Sequence, residues 1–310
     1  MKNFALLLWL AAASAAAQPI AYVPNEKSGT ISLIDTASDR VVAEIKAGMK
    51  PRGIAVSPDG RRLFVSDQPA NALVVVDLKA RKIEKSILLG ESPEGVSISR
   101  DGKLVAAASE IANAVILIDA ESGRVLATIK TEGKNPEHAV FSPEARWIYV
   151  SAEDASQVDV IDVRLRKQTH AIQVKRRPRG IAFSPDGKLA YVACELDDTV
   201  FAIRTDRHEV LAAIPAGKFS NGVVMSPKGD RVYISNGRGA SVSVIDVATN
   251  AIVSTVEVGQ RPWNMALTPD GSKLYVANGR SNSVSVIDTA TVRRIADVPV
   301  GELPWGVAIY

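Results

Sequence analysis

The sequence predicts an all-β protein in which seven blades of four antiparallel strands surround a channel, a seven-bladed β-propeller. Two observations lead to this fold: one turn sequence recurs about every 42 residues, and the two chain ends supply complementary parts of one unit. The turn, Ser-Pro-Asp-Gly or a close relative, begins at Ser57, Ser99, Ser142, Ser184, Ser226 and Thr268, with gaps of 42, 43, 42, 42 and 42 residues. A regular period of this length is the signature of a repeat architecture.

Each unit contains four short runs that are rich in Val, Ile, Tyr and Ala. In the last complete unit these runs are residues 262–268, 273–278, 283–288 and 294–300. Turn formers such as Pro269-Asp270-Gly271 separate them, because Pro fixes φ and Gly accepts positive φ. Short β-rich runs bounded by turn residues predict strands, and four strands in about 40 residues are typical of a propeller blade.

The two ends of the chain predict how the ring closes. Residues 20–25 match the second strand of a unit, whereas residues 304–309 match the first strand and then the chain stops. Six complete units lie between these segments. We therefore expect three N-terminal strands and one C-terminal strand to form the seventh blade together. Such sharing pairs both terminal strands and protects the sheet edges from aggregation.

The first 17 residues are expected to be a signal peptide. Lys2 carries their only charged side chain, residues 4–13 are apolar, and Ala15-Ala16-Ala17 fits the small residues of a cleavage site. The apolar run is shorter than the ~20 residues that a membrane span needs. Residues 18–310 are expected to form one propeller domain that is periplasmic or secreted, without membrane insertion and without a lipid anchor.

The charge balance argues against binding through bulk electrostatics. The chain has 37 Lys and Arg against 34 Asp and Glu, a net charge of +3, and loss of Lys2 with the signal peptide leaves +2. A nearly neutral protein is not drawn strongly to nucleic acid or to a membrane surface. Cys194 is the single cysteine and cannot form an internal disulfide. We expect it in a polar loop at the channel mouth, and not as a nucleophile.

Several runs resemble the repeat of the YVTN-family β-propellers. Leu274-Tyr275-Val276-Ala277-Asn278 and the following Ser283-Val284-Ser285-Val286-Ile287-Asp288-Thr289 carry the pattern, which recurs along essentially all of the mature chain. Within that family, three segments look most like a group of exported propellers associated with pyrroloquinoline-quinone-dependent alcohol catabolism. These segments are Pro136-Glu137, Gln260-Arg261-Pro262-Trp263 and Pro304-Trp305-Gly306-Val307.

The resemblance implies the propeller fold and an accessory role in an alcohol-oxidation or transport system. It brings no catalytic residues that can be placed on this chain. We also expect no cofactor, because no tryptophan repeats in every unit as in a quinoprotein dehydrogenase. Since propellers carry many unrelated activities, function has to be argued from the residues themselves.

Function is expected where the repeats differ. Strand order places the segments that lead into the innermost strands, and the loops between second and third strands, on one face around the channel mouth. The repeated turns lie on the opposite face. The position after the inner-strand Pro gives one ring residue per blade: Arg52, Glu94, Glu137, Arg179, Asn221, Trp263 and Trp305. The position two residues before it adds Arg177 and Arg261, and the next position adds His138 and Asn264.

Two interpretations of this ring remain open. In the functional one, the arginines bind a carboxylate or a phosphate and the two tryptophans form a stacking wall. The ligand is then a small anion or an acidic surface of a periplasmic protein partner, since Arg and Trp are common anchors of interfaces. In the structural one, Arg52 and Arg179 neutralise Glu94 and Glu137 while the indoles plug the channel, because buried charges need partners in any case.

Enzymatic and nucleic-acid functions receive less support. Glu94, Glu137 and His138 are the one plausible acid–base group, of the kind that a propeller lactonase or lyase uses. The three histidines fall at different places of the repeat and are not expected to converge, which argues against a copper or zinc cluster. Basic and aromatic residues can stack single-stranded nucleic acid, but acids in neighbouring loops would repel its phosphates: Glu110, Glu153, Asp154 and Glu195. We therefore predict a non-enzymatic binding protein with no metal.

Overall fold

The described part of the chain, residues 19–310 of a computed structural model, folds into seven four-stranded antiparallel sheets. The predicted fold class is confirmed. The predicted signal peptide lies outside the described residues. Two single 3-10 turns, Glu153–Ala155 and Glu195–Asp197, lie in connections between consecutive strands. Among residues 19–310, no helix is long and apolar enough to cross a membrane.

The sheets follow one another along the chain as a closing blade and blades I to VI. The closing blade begins with β1 (Ile20–Asn25), β2 (Thr30–Asp35) and β3 (Arg40–Lys46). Blade I contains β4 (Pro51–Val56), β5 (Arg62–Asp67), β6 (Ala72–Asp77) and β7 (Lys82–Leu88). Blade II contains β8 (Pro93–Ile98), β9 (Leu104–Ser109), β10 (Ala114–Asp119) and β11 (Val125–Lys130). Blade III contains β12 (Pro136–Phe141), β13 (Trp147–Ala152), β14 (Gln157–Asp162) and β15 (Lys167–Gln173).

The second half of the ring repeats the same order. Blade IV contains β16 (Pro178–Phe183), β17 (Leu189–Cys194), β18 (Thr199–Arg204) and β19 (Glu209–Pro215). Blade V contains β20 (Ser220–Met225), β21 (Arg231–Asn236), β22 (Ser241–Asp246) and β23 (Ala251–Glu257). Blade VI contains β24 (Pro262–Leu267), β25 (Lys273–Asn278), β26 (Ser283–Asp288) and β27 (Arg293–Pro299). The last strand, β28 (Ala308–Ile309), completes the closing blade beside β1.

Closure by both chain ends is confirmed, although β28 is shorter than the six residues predicted. The C-terminal segment follows β1 antiparallel along its whole length: Pro304 lies opposite Asn25, and Tyr310 exchanges backbone hydrogen bonds with Ile20. Trp305 donates its backbone N–H to the carbonyl of Pro24 at 2.9 Å. Regular pairing is interrupted between these points because the segment carries the same irregularity as the other inner strands.

The core lies between the blades. Seven apolar clusters fill the seven gaps between neighbouring sheets. Tyr149 and Val160 of blade III, for example, pack against Ile181 and Ile203 of blade IV. The innermost strands contact their neighbours around the axis, and β28 packs against both β24 and β4. Because every blade buries its two faces against other blades, the scaffold around the channel is held from all sides.

The repeated turns are structural. Ser57 Oγ donates to Asp59 at 2.6 Å and accepts the backbone N–H of Arg62, and the equivalent residues of other blades do the same. Asp35 Oδ1 accepts the backbone N–H of Ser38 at 2.8 Å at the turn between the third and fourth strands. Short polar side chains that bond nearby backbone groups are favoured in such turns.

Candidate functional site

A β-bulge in the inner strands positions the ring residues. Pro51 lies opposite Asp67, but the next regular pair is Ile54 opposite Val65, so Arg52 and Gly53 fall outside the ladder. Strands β8, β16, β20 and β24 show the same irregularity, and β12 a shorter one. A bulge re-aims the side chain of the extra residue. The ring residues therefore turn towards the mouth instead of alternating across the sheet.

Small side chains at the next position let the inner strands approach one another. A Cβ at Gly53 would collide with the backbone of Glu94 in the next blade. Gly53 N donates to Ser66 Oγ at 2.9 Å, and this hydroxyl donates to the carbonyl of Glu94 at 2.6 Å, which joins the two blades. His138 and Asn264 stand where five blades have glycine, and their side chains line the channel.

One arm of the site is built around Arg52. Its guanidinium contacts the carboxylate of Glu94, and its second terminal nitrogen lies 3.2 Å from Glu26 Oε1. Gln68 Nε2 donates to the same Glu94 oxygen at 2.8 Å. Glu94 Oε2 and Arg52 Nε are buried and have no hydrogen-bond partner among the described residues.

The other arm is built around Arg179. Its guanidinium lies 2.5 Å from Glu137 Oε1 and 3.2 Å from Glu195 Oε2, and it also contacts Glu153. Two further arginines join the same acids. Arg177 Nε lies 3.2 Å from Glu195 Oε2, and Arg261 donates to Glu195 Oε1 at 2.8 Å. The four arginines of the ring are thus all held by carboxylates.

The charges are separated by depth. The side chains of Glu94 and Glu195 are 0% exposed, whereas those of Arg52, Arg179 and Arg261 are 24%, 12% and 18% exposed. A cavity of about 120 Å³ opens at the mouth, and it is lined by Glu26, Arg52, Arg179, Asn221, Arg261, Trp263, Asn264 and Trp305. Three cations and one acid face this cavity, because most of the glutamates lie behind the arginines that they hold.

Trp305 separates the mouth cavity from the channel below it. A second cavity of about 130 Å³ has Trp305 and Asn264 in its wall together with His138. The Trp305 indole is 8% exposed, and its ring centroid lies 5.5 Å from that of His138. Trp263 remains half-buried at the mouth, near Arg261. One indole therefore fills the channel, and both line the mouth cavity.

The pKa values in this network diverge. Burial, together with the charge of Glu137, raises the pKa of Glu94 to about 9 and the pKa of Glu153 to about 7. Burial acts on Glu137 in the same direction, but the guanidinium of Arg179 outweighs it and holds the pKa of Glu137 below its usual value. Burial lowers the pKa of His138 to about 4, so its imidazole is neutral at pH 7. A network that mixes protonated and ionised carboxyls follows from crowding acids where water is excluded.

Three of these acids have the arrangement of a metal site. Carboxylate oxygens of Glu110, Glu137 and Glu153 lie within 4.8 Å of one another. The guanidinium of Arg179 contacts Glu137 and Glu153. Two of the three acids, Glu137 and Glu153, thus already hold a guanidinium.

The expected separation of the histidines is wrong for two of them. The rings of His170 and His208 lie 4.5 Å apart on the outer side of blades III and IV, and Tyr149 Oη lies 2.7 Å from His208 Nδ1. They meet because His170 lies in β15, the fourth strand of blade III, and His208 lies in the turn before β19, the fourth strand of blade IV. This strand and this turn are neighbours in the ring. Cys194, expected in a loop, ends β17 and is fully buried, and burial raises the pKa of its thiol to about 12.

The structure adds polar residues that the ring alignment missed as partners of the ring. Glu26, Gln68, Glu110, Glu153 and Glu195 follow the second strand of their blades, where blades V and VI have Gly237 and Gly279. Glu153 and Glu195 appeared in the sequence as repellent acids, yet they bind Arg177 and Arg179. The sequence does distinguish this position, because five blades have a polar residue there and two have glycine.

Comparisons with known proteins support the fold. A profile of the family described as "Lactonase, 7-bladed beta-propeller" matches residues 164–293, and a profile described as "YNCE-like beta-propeller" matches residues 12–99. No protein in a collection of curated sequences matches the chain.

Two solved structures show the same architecture. A chain of Kuenenia stuttgartiensis hydrazine synthase is 25% identical, with a TM-score of 0.79 over 87% of this chain and 92% of that chain. A functionally unknown protein from Desulfotomaculum acetoxidans DSM 771 is 18% identical, with a TM-score of 0.82 over 94% of this chain and 98% of that chain. The chain is thus a seven-bladed β-propeller that is similar, in two separate segments, to lactonase-type and YNCE-like propellers.

Proposed function

We propose that the protein is a non-enzymatic, exported binding propeller whose mouth recognises a small anionic ligand or an acidic surface of a periplasmic protein partner. The observation that carries this proposal is the order of charges by depth. Arg52, Arg179 and Arg261 line the mouth cavity, whereas Glu94 and Glu195, which hold them, are fully buried. An approaching anion therefore meets three guanidinium groups and one carboxylate, that of Glu26.

The arginines retain hydrogen-bonding capacity for such a ligand. A guanidinium has five N–H donors, and Arg261 gives one hydrogen bond to Glu195. Arg52 Nε is buried without an acceptor among the described residues. Because the carboxylates already fix these side chains, little rotamer freedom is lost when an anion binds. The indoles of Trp263 and Trp305 add an apolar wall against which a ligand can stack.

We further propose that the ligand or partner belongs to a periplasmic pyrroloquinoline-quinone-dependent alcohol-oxidation or transport system. The support is the position of the three segments that resemble the propellers associated with such systems. They supply Glu137, Arg261, Trp263 and Trp305, which all lie at the mouth or in its charged network. The resemblance is therefore concentrated in the proposed site and not in the repeated turns.

The test compares mouth variants with a matched variant of the opposite face. Arg179→Ala combined with Trp305→Ala, and Arg261→Ala alone, should weaken binding of a hexaglutamate peptide, each anchor by about 1–3 kcal/mol. Arg62→Ala is the control, because Arg62 also pairs with two glutamates, Glu84 and Glu121, but lies on the opposite face. Thermal melting establishes that each variant is folded. Equal peptide affinity of wild type and well-folded mouth variants would refute the mouth as the site.

A second candidate is a lactonase, which the family profile over residues 164–293 favours. Those residues include none of Glu94, Glu137 and His138, the acid–base group of the mouth. Glu137 and Glu94 are also engaged by Arg179 and Arg52. The binding proposal therefore predicts no hydrolysis of glucono-δ-lactone above the buffer rate at pH 7, and unchanged hexaglutamate binding by His138→Ala. Hydrolysis that His138→Ala abolishes without loss of melting temperature would establish the enzyme instead.

A further inference from the structure

The charged network of the mouth contains more acids than bases. Its contacts join six carboxyl groups, those of Glu26, Glu94, Glu110, Glu137, Glu153 and Glu195, with the guanidinium groups of Arg52, Arg177, Arg179 and Arg261. Four of the six, Glu94, Glu137, Glu153 and Glu195, are buried, and burying charge without a matching partner is costly. Protons are the simplest compensation, since a buried acid without a partner neutralises itself.

Two carboxyl groups are placed to take these protons. Glu94 is fully buried, and its Oε2 has no hydrogen-bond partner among the described residues. Glu153 shares the guanidinium of Arg179 with Glu137 and Glu195. The groups that face Glu94 are Arg52, Gln68, Glu110 and Glu137. Those that face Glu153 are Arg177, Arg179, Asn135, Glu110 and Glu137. Every acidic neighbour raises the free energy of ionising Glu94 or Glu153.

We infer, building on the binding role proposed above, that the mouth takes up a small flat carboxylic acid as its carboxylate together with one proton. The carboxylate binds the guanidinium groups of the mouth cavity, the apolar body lies against Trp263 and Trp305, and the proton enters the Glu94–Glu153 cluster. The ligand carboxylate competes with the buried acids for Arg52 and Arg179. A buried acid that shares its guanidinium with the ligand gains proton affinity. By linkage, a proton on that acid raises the affinity for the ligand by the same factor.

The chemistry of the cavity favours a carboxylic acid over a phosphate. A carboxylate brings one negative charge, which one proton balances, and it fits a guanidinium bidentately. A phosphate brings a charge closer to −2 and has no apolar body for the two indoles that line the cavity. The cavity of about 120 Å³ also limits the ligand to a small molecule.

The pH range of the coupling follows from Glu153. Burial and Glu137 raise its pKa to about 7 in the free protein, so below pH 6 the proton is already present and ligand affinity is flat. Above pH 7 the proton has to be taken from solvent. Affinity for the carboxylate then falls by up to about tenfold per pH unit, as linkage to one proton requires.

Isothermal titration of the mature protein with benzoate tests this inference at pH 6, 7 and 8 in two buffers of different ionisation enthalpy. We expect the dissociation constant to rise about fivefold between pH 7 and pH 8, because half of Glu153 is still protonated at pH 7, with uptake of close to one proton per benzoate at pH 8. Glu153→Gln, which keeps the shape and removes the titration, should bind benzoate with equal affinity at pH 7 and pH 8. Glu84→Gln, at a carboxylate paired with Arg62 outside the mouth, should keep the wild-type pH dependence.

The outcomes separate this inference from the binding role itself. Benzoate binding that is lost in Arg261→Ala but shows no pH dependence and no proton uptake overturns the coupling and leaves the binding role intact. Phosphate that binds more tightly than benzoate, or hexaglutamate binding without benzoate binding, overturns the ligand class alone. Absence of binding by all three probes overturns both. If Glu153→Gln does not fold, Glu110→Gln replaces it: the charge of Glu110 helps to raise the pKa of Glu153, so its removal should move the onset of the pH dependence to lower pH, and an unchanged onset overturns the coupling.

Discussion

Glu94 and Glu137 occupy the same position in neighbouring blades, yet their pKa values move in opposite directions. Glu94 shares Arg52 with Glu26 and lies near the charge of Glu137, and burial raises its pKa to about 9. Glu137 faces Arg179, which lowers its pKa despite complete burial. Both titrations belong to the coupled network and not to either residue alone. Identical chemistry at one repeat position thus gives one protonated acid and one carboxylate at pH 7.

This difference predicts opposite responses to neutral isosteres. Glu137→Gln should destabilise the protein at pH 7 by about 1.5–3 kcal/mol, because it removes a charged hydrogen bond to Arg179. Glu94→Gln should cost little at pH 7, because the amide resembles the protonated acid that is already there. Thermal melts at pH 7 measure both. A Glu94→Gln variant that melts far below Glu137→Gln would show that Glu94 is ionised.

The pH dependence of the same variants has a defined sign. The raised pKa of Glu94 contributes stability below the unfolded value of about 4.5, and this stability is lost as pH rises towards about 9. Glu94→Gln should therefore flatten the fall in melting temperature between pH 5 and pH 9. The lowered pKa of Glu137 acts the other way: its contribution is present above about 4.5 and is lost as pH falls through the folded value.

At the scale of single elements, strand positions could be predicted and the local irregularities could not. Strands β25 and β26 have the predicted bounds, and β27 begins one residue earlier than predicted. Alternation and turn residues suffice for this, because they are local properties of the sequence. The inner-strand bulge is different, since it depends on the close approach of Gly53 to the backbone of the next blade. No pattern within one strand contains that contact.

The same distinction applies to the candidate site. The ring residues could be found by aligning the units, because side chains that vary at one repeat position stand out against a constant background. Their pairing could not, since Arg261 and Glu195 are 66 residues apart and meet across the channel mouth. Arg177 and Glu195 meet through loops of the same blade. Only the closed ring determines which arginine reaches which acid.

At the scale of the whole molecule, the closing blade joins the two ends of the chain through few elements. Lys273 of blade VI contacts Asp39 of the closing blade at 2.7 Å, and Lys27 forms an ion pair with Glu302 at 2.5 Å. The C-terminal segment adds Trp305 and Val307, which are buried. Trp305 thus serves two purposes, since it lines the mouth cavity and belongs to the segment that closes the ring.

Deletion of residues 304–310 tests closure of the ring. The deletion exposes the edge of β1 and opens the gap between β24 and β4, which β28 fills. It also removes the burial of Trp305 and Val307, where each large apolar side chain contributes about 1.5–3 kcal/mol. We expect a large fall in melting temperature together with aggregation through the open edge. Tyr310→Ala is the control, because it keeps the backbone of β28 and should melt close to wild type.

A peptide of residues 303–310 added in trans should restore part of the lost stability, since the segment is held largely by backbone hydrogen bonds to β1. A monomeric truncated protein with the wild-type melting temperature would contradict the shared closing blade as a source of stability.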